Sequence, residues 1–194
     1  MLHLASRSPR RAELLGRLGL RFGTLDIDIP ERQGADEAAE DYVRRVAREK
    51  AGAGLLQVVA VPEAASGQVG VLGADTEVIL DGRVFGKPAG AADAAAMLRR
   101  LSGRSHEVVT AVSVVSAQRE AQALSLTRVT VEPLSDADIA RYLASGEWQG
   151  KAGAYAIQGR FEMHVERLDG SYSGVMGLPL RETAGLLRDF GLLP

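Results

Sequence analysis

The sequence contains no cysteine, no long apolar run and no large excess of either charge. Without cysteine, disulfide bonds and thiolate chemistry are excluded, which is compatible with a reducing compartment. No apolar run approaches the length of a membrane span, and the first residues lead directly into a predicted strand, so we expect neither a membrane segment nor a signal peptide. The formal net charge of −2 does not favour stable binding to duplex nucleic acid or to a membrane surface. Any polyanionic ligand must therefore meet a local group of cations.

The length and composition are those of an ordinary globular protein. The 194 residues suffice for a sizeable core, and hydrophobic and charged residues make up 46% and 25% of the chain. We find no internal repeat and therefore expect a single domain over residues 1–194, with the cytoplasm as the default location.

Local patterns predict a mixture of helices and strands, which indicates an α/β fold with a mixed sheet. The predicted strands cover residues 2–5, 21–29, 69–75, 76–80, 83–85, 106–117, 123–134 and 161–168. The predicted helices cover residues 9–18, 35–56, 90–103 and 135–146, and a last helix begins at Leu180. A loop is predicted over residues 61–68 and a turn over residues 169–174.

The stretch "LASRSPRR" marks the start of the first helix. Ser8 is a good N-cap, and Pro9 suits the first helical position, where no amide hydrogen is needed. Arg10 and Arg11 then lie near the positive end of the helix dipole, where a cation costs about 0.3–1 kcal/mol. An anion bound by the helix amides and the two guanidinium groups would offset this cost. Two solvated arginines on a surface helix are an equally good interpretation of this stretch taken alone.

Four charged residues form the next candidate group. Asp75 ends the apolar run "VGVLGA", where a carboxylate can serve as a metal ligand, as a general base or as a turn cap. Lys87 follows a predicted hairpin that would bring it near Asp75. Lys50 on the second predicted helix is a possible phosphate partner or a solvated lysine, and Glu31 after a strand could join Asp75 in binding a hard cation.

The three histidines do not form a predicted metal site or catalytic triad. His3, His106 and His164 are far apart in sequence, lack ligand spacing and have no cysteine to complete a metal site. We interpret them as structural or surface residues.

Several motifs together carry a family resemblance. The stretches "LASRSPRR", "GADTEVILDGRVFGKP", "LSGRSHEVVTAVSV", "GKAGAYAIQG" and "GSYSGVMGLPL" follow one another in this order over essentially the whole chain. With them the sequence resembles the Maf proteins, nucleoside triphosphate pyrophosphatases that are also described as septum-formation inhibitors.

The resemblance implies a fold and a reaction. The fold would be shared with the inosine triphosphate pyrophosphatases: an elongated mixed β-sheet with flanking helices and two lobes around a cleft. The reaction would be hydrolysis between the α- and β-phosphates of a nucleoside triphosphate, giving the monophosphate and pyrophosphate. A divalent cation, Mg²⁺ or Mn²⁺, would be required, and a homodimer is suggested.

The resemblance also implies roles for particular residues. Asp75 matches the family's proton acceptor, and Glu31 and Asp75 match its acidic residues, which we predict to hold the metal. The residues that match its phosphate-binding motif and its lysines are Ser6, Arg10, Arg11, Lys50 and Lys87.

One branch of the family acts on dTTP and UTP, and a sister branch prefers 7-methyl-GTP. Arg11, Thr76 and Gln158 match the specificity positions of the first branch. The amide of Gln158 has a donor and an acceptor, which suit the O4 and N3–H groups of uracil and thymine; alternatively, Gln158 holds its own loop in place. Gly150 and Ala156 depart from the pattern of many relatives, so a broader range of triphosphates is an alternative.

Two rival functions follow from the same motifs. The chain could be a nucleotide-binding regulator that acts on septum formation through a protein partner, but the complete set of acidic residues and lysines favours an enzyme. A nucleic-acid binder that uses "SPRR" is disfavoured by the near-neutral charge and the lack of a basic stripe.

Overall fold

The computed structural model describes residues 1–60 and 69–193, so the predicted loop 61–68 lies outside the described residues. The strands are β1 Leu2–Ala5, β2 Phe22–Leu25, β3 Gly70–Leu80, β4 Arg83–Phe85, β5 Ser105–Val115, β6 Glu120–Val131 and β7 Val165–Asp169. The helices are α1 Pro9–Gly16, α2 Ala39–Val59, α3 Ala91–Leu101, α4 Asp136–Ala144, α5 Tyr172–Met176 and α6 Leu180–Asp189, with short 3₁₀ segments at Ala152–Ala154 and Arg160–His164.

The seven strands form one mixed sheet, which confirms the predicted α/β class. The strand order is β2-β1-β3-β5-β6-β7, and β4 pairs with β3. Strand β1 lies parallel to both β2 and β3, whereas the β3–β4 and β6–β7 pairs are antiparallel. The parallel part arises because α1 and α2 connect β1, β2 and β3.

The chain divides into two compact units. The first comprises Met1–Asp75, Thr110–Ser125 and Gly177–Pro194, and the second comprises Thr76–Val109 and Leu126–Met176. The core of the first unit includes the buried side chains Leu4, Leu14, Leu15, Val43, Val46, Leu72, Leu187 and Phe190. That of the second includes Phe85, Leu98, Leu101, Ile139, Tyr142, Tyr155 and Phe161.

The start of α1 is confirmed in detail. Ser8 is the N-cap, and its hydroxyl oxygen accepts a hydrogen bond from the Arg11 amide over 3.4 Å. Pro9 occupies the first helical position, where its missing amide hydrogen costs nothing. The helix is shorter than predicted and ends at Gly16, and the chain then reaches Gly19 with φ +71°, a left-handed conformation that glycine adopts without strain.

Helix α2 packs very closely on β3. A Cβ atom added at Gly73 would lie 2.4 Å from the Ala47 carbonyl oxygen and 2.6 Å from the Ala51 nitrogen. At Gly54 on the helix, an added Cβ atom would lie 2.8 Å from a Val71 methyl group. Since alternate strand residues share a face, Val71, Gly73 and Asp75 all face α2. The two glycines therefore allow the approach that brings α2 next to Asp75.

The predicted strand break at Asp75 was wrong, because β3 continues through this residue. One strand runs from Gly70 to Leu80, and its residues are buried except for Thr76, which is half-buried. A fully buried strand has no alternation that would show where it ends, and a single carboxylate inside it resembles a strand end in the sequence. Asp75 thus lies inside a strand and not after one.

Other predicted boundaries were also wrong, among them those of α2, predicted over residues 35–56 and found at Ala39–Val59, and of β6, predicted over residues 123–134 and found at Glu120–Val131. The strand predicted over 21–29 ends at Leu25. Residues 160–164 form a 3₁₀ turn before β7, because Phe161 is fully buried and packs against the rings of Tyr142 and Tyr155. The predicted turn 169–174 leads into α5, where the Ser171 hydroxyl accepts from the Gly174 amide over 2.9 Å. In the last two cases tertiary packing and capping override the local pattern.

Candidate active site

Asp75, Lys50 and Glu31 form a charged cluster in the first unit. The Lys50 ammonium lies 2.8 Å from Asp75 Oδ1 and 2.7 Å from Glu31 Oε1. The side chains of Lys50 and Asp75 are only 9% and 6% exposed, whereas that of Glu31 is 30% exposed. Because desolvation offsets much of the attraction in a buried ion pair, such a cluster is weak evidence for stability and points more to function.

The position of Lys50 on α2 explains the cluster. The buried residues of α2 recur at helical spacing and include Val43, Val46, Ala47, Lys50, Ala51 and Gly54. Lys50 is therefore a lysine on the apolar face of the helix, directed at the strand face that carries Asp75. The sequence contained this signal, since Lys50 follows Val46 by four residues, but we predicted Lys50 as a phosphate partner or a solvated lysine.

The carboxylate oxygens of the cluster fit a hard divalent cation. Asp75 Oδ2 is buried, and it has no hydrogen-bond partner among the residues that the structure describes. Within the same residues no group of three or more acidic, histidine or cysteine side chains is placed to hold a metal. Mg²⁺ commonly binds through one or two carboxylates together with substrate phosphates and water. Asp75 and Glu31 suffice for that mode of binding, and the metal site stays a prediction.

The "LASRSPRR" segment joins the end of β1 to α1 in the same unit. The register pairs Leu4 of β1 with Leu72 of β3, so the carboxyl end of β1 adjoins the part of β3 that leads to Asp75. In open sheets, ligands bind outside the carboxyl ends of parallel strands. A groove of about 240 Å³ at the start of α1 is lined by Ser6, Arg7, Ser8, Pro9, Ala12, Thr24, Leu25 and Asp26.

Ser6, Arg7 and Arg11 of this segment each bind a different partner. The Ser6 hydroxyl accepts from the Ser8 amide over 3.1 Å, and Arg7 forms an ion pair with Asp26. Arg11 Nε donates to the Gly177 carbonyl oxygen over 2.8 Å. Arg10 and Arg11 are both half-buried in the first turn of α1. The bond to Gly177 joins two of the motifs, "LASRSPRR" and "GSYSGVMGLPL", which the sequence could not show to be neighbours.

The remaining predicted site residues belong to the second unit. Thr76 is half-buried on β3, Lys87 is exposed two residues after β4, and Gln158 is exposed between the two 3₁₀ segments. Ahead of Gln158, the Ala156 amide donates to the Tyr142 hydroxyl over 3.0 Å. The roles of these three residues stay predictions.

His106 is a structural residue in the second unit. It is 2% exposed, and its Nε2 atom lies 2.8 Å from the Tyr155 hydroxyl. The two rings pack edge to face with centroids 5.5 Å apart. Burial lowers the pKa of His106 to about 4, so the imidazole is neutral at neutral pH.

We expect His106 to make the folded state less stable in mild acid. Its ordinary pKa is 6.5, so between pH 6.5 and about 4 the unfolded chain binds a proton that the folded chain does not. Stability is present above pH 6.5 and falls as the pH drops towards 4, by up to about 3 kcal/mol from this group. Urea unfolding of wild type and His106→Gln across this range checks it: the free-energy difference between the two proteins should change with pH, and parallel pH profiles would contradict the prediction.

The comparison with known proteins agrees with the motifs. The model of the Maf-like protein family matches residues 1–190, and the chain belongs to this family. Over 192 residues, 98% of this chain and 99% of the relative, it is 60% identical to a protein of Xanthomonas euvesicatoria pv. vesicatoria named "dTTP/UTP pyrophosphatase". It is 59% identical, over 98% of both chains, to a protein of Xylella fastidiosa named "Nucleoside triphosphate pyrophosphatase".

Among solved structures, the Ham1 protein of Staphylococcus aureus is a distant match. It aligns with 67% of this chain and 71% of its own, at 13% identity and a TM-score of 0.43. This likeness is too weak to carry an argument, so the relation to inosine triphosphate pyrophosphatases stays a prediction. In the described part of the chain, no helix has the length and apolar character needed to cross a membrane.

Proposed function

We propose that this protein is a metal-dependent nucleoside triphosphate pyrophosphatase that hydrolyses dTTP and UTP to the monophosphate and pyrophosphate. The observation that carries the proposal is the Asp75–Lys50–Glu31 cluster, in which Asp75 and Lys50 are buried. It supplies an oriented carboxylate in a chain that is 60% identical over its length to a protein named for this activity.

In this proposal Asp75 acts on the water that attacks the α-phosphorus. Its Oδ1 atom is held by Lys50, so the carboxylate is oriented, and Oδ2 is the atom that remains for a proton or a cation. A divalent cation bound by Asp75 and Glu31 would neutralise phosphate charge and polarise the phosphorus. Lys50 keeps the two carboxylates beside one another until the substrate arrives.

The phosphates are assigned to the start of α1. The amides at a helix N-terminus bind anions well, and Arg10 and Arg11 add two guanidinium groups in the same turn. Ser6 lines the adjoining groove. A triphosphate would offset the cost of placing two cations at the positive end of a helix dipole, which explains why the sequence tolerates them there. Lys87 is assigned to the phosphates as well.

The decisive experiment is a panel of nucleoside triphosphates with Mg²⁺ in which pyrophosphate and orthophosphate are measured separately. We expect pyrophosphate and the monophosphate from UTP and dTTP, and complete loss of activity after exhaustive chelation, with recovery on adding Mg²⁺ or Mn²⁺. Release of orthophosphate with the diphosphate would refute the assigned bond. Preference for 7-methyl-GTP, or similar rates with all bases, would replace the assigned substrate, and absence of turnover would favour the regulator.

Gln158→Glu is expected to impair pyrimidine substrates selectively. The glutamate could still accept from N3–H, but it would set a carboxylate oxygen against O4 of uracil or thymine. An unmatched polar pair in a desolvated site lowers kcat/KM by roughly 5- to 150-fold. We would measure kcat/KM for UTP, dTTP, CTP and GTP. Gln149→Glu, at another exposed glutamine, introduces the same charge and is the control. Equal losses with all four bases would assign Gln158 to loop structure instead.

Three further parts of the proposal concern the setting of the enzyme. We assign it to the cytoplasm, as a homodimer with no stable nucleic-acid partner. The sequence supports this with its lack of cysteine and its net charge of −2, and the family resemblance supports the homodimer. Light scattering of the purified protein would test the dimer.

A further inference from the structure

The segment that carries Glu31 has no regular secondary structure of its own. Between the end of β2 at Leu25 and the start of α2 at Ala39, the chain forms no helix or strand, and residues 30–36 are exposed. A carboxylate on such a segment loses conformational freedom when it is fixed beside Lys50, and that loss must be offset by other contacts.

Before Glu31, Ile27 and Ile29 pack into the core of the first unit. After Glu31, the contacts come from Arg45, which lies on α2 about one and a half turns before Lys50. Its Nε and Nη2 atoms lie 2.6 and 2.9 Å from the two carboxylate oxygens of Glu37, a paired arrangement of the kind that fixes both position and direction. Nη2 also donates to the Arg32 carbonyl oxygen over 3.0 Å. Arg45 is thus bonded directly to the backbone of the residue that follows Glu31.

Glu37, which Arg45 binds, is itself hydrogen-bonded to other residues of the segment. Glu37 Oε2 accepts from the Gly34 amide over 2.9 Å, and the Glu37 carbonyl oxygen accepts from the Gln33 side chain over 2.8 Å. The bonds from Arg45 and Gly34 lower the pKa of Glu37 to about 2, so its carboxylate is charged at neutral pH. Arg45 Nη1 donates to Glu49 over 3.1 Å, which anchors the guanidinium to its own helix.

We propose that Arg45 is a positioning residue of the active site: it fixes the segment around residues 31–37 against α2, so that Glu31 reaches Lys50 and Asp75. One helix therefore holds the glutamate from two sides, with Lys50 on the side chain and Arg45 on the backbone of the next residue. The proposal rests on the proposed function for its catalytic consequence, whereas the placement of Glu31 can be tested without turnover.

The first test measures the placement of Glu31 in the full-length protein. In Arg45→Gln, we expect the Glu31 side-chain carboxyl carbon to shift in the NMR spectrum towards the value of a solvated glutamate, and the Gly34 amide to exchange about tenfold faster or more. Arg48→Gln is the matched control, because Arg48 lies on the same helix but pairs with Glu120, over 2.9 Å. An unchanged Glu31 resonance in Arg45→Gln, or an equal change in Arg48→Gln, would overturn the proposal.

The second test asks whether Arg45 acts through Glu31. We expect Arg45→Gln to lower kcat for UTP about 10- to 100-fold, as misplacement of a site group does, with a smaller loss in Arg45→Lys, which keeps the charge without the paired geometry. In a Glu31→Gln background, Arg45→Gln should cost less than about twofold further. Equal losses in both backgrounds would overturn the proposal. An inactive wild type would refute the proposed function instead, and the NMR result would still decide the placement.

Discussion

Asp75→Asn is expected to lower kcat for UTP by about 10²- to 10⁴-fold, the usual range for loss of a general base, with a further loss if the residue also binds the metal. The amide keeps the size of the side chain but removes the charge that Lys50 holds and that a proton or cation would meet at Oδ2. Steady-state kinetics and equilibrium binding of UTP would be measured on the same preparations. We expect binding to persist, because the phosphates are assigned to the start of α1.

Asp75→Asn is also expected to lower the stability of the folded protein, so loss of activity must be separated from unfolding. A neutral amide in place of the Asp75 carboxylate would leave the buried Lys50 ammonium with Glu31 as its remaining carboxylate partner among the described residues, and breaking a buried ion pair costs about 3–5 kcal/mol. Urea unfolding would show whether the variant is folded at the assay temperature. Asp41→Asn, an exposed aspartate on α2, is the matched control and should retain activity. A folded Asp75→Asn protein with wild-type kcat would remove Asp75 from the mechanism.

Lys50→Gln is expected to reduce both stability and turnover. Asp75 and Glu31 would lose the cation that lies 2.8 and 2.7 Å from their oxygens, and the buried Asp75 carboxylate would be the costlier of the two to leave uncompensated. We expect a loss of about 3–5 kcal/mol in the free energy of unfolding. We also expect a loss of about 10²-fold or more in kcat, because the orientation of Asp75 is lost. Urea unfolding and steady-state kinetics check the two effects.

The double variant Lys50→Gln/Asp75→Asn separates the two effects. Because it places two neutral amides where a buried ion pair stood, we expect it to be more stable than the sum of the single losses predicts, by about 0.5–3 kcal/mol. Turnover should stay as low as in Asp75→Asn. Strictly additive losses of stability would show that the two side chains are not coupled and would contradict the cluster.

The fold was predictable wherever the pattern was local. The start of α1 with Ser8 and Pro9 and the helices predicted over residues 90–103 and 135–146 all depend on neighbours within a few residues, and the structure has a helix in each of these places. The predicted element boundaries were wrong where a strand is buried on both faces, as in β3, or where aromatic packing determines the local structure, as at Phe161.

The candidate site was predictable only in its components. Asp75, Lys50 and Glu31 were each identified, but the sequence did not indicate that one ammonium would bridge the two carboxylates, because residues 31, 50 and 75 are brought together only by the packing of α2. Arg45 was missed for the same reason. An arginine among other charged residues of a helix looks solvated until its partners, Glu37 and the Arg32 carbonyl, are seen.

By itself, the sequence determined the α/β class, the start of α1 with its two arginines, the family resemblance and the acidic residues to which we assign the chemistry. These are encoded in short motifs, in which each residue acts through its immediate neighbours. Only the tertiary structure decided that Lys50 is buried between Asp75 and Glu31, that Arg11 is bonded to Gly177 and that Arg45 holds the Glu31 segment. The physical reason is that these contacts join residues distant in the chain, and the one at Asp75 exists because Gly73 has no side chain to keep α2 away from β3.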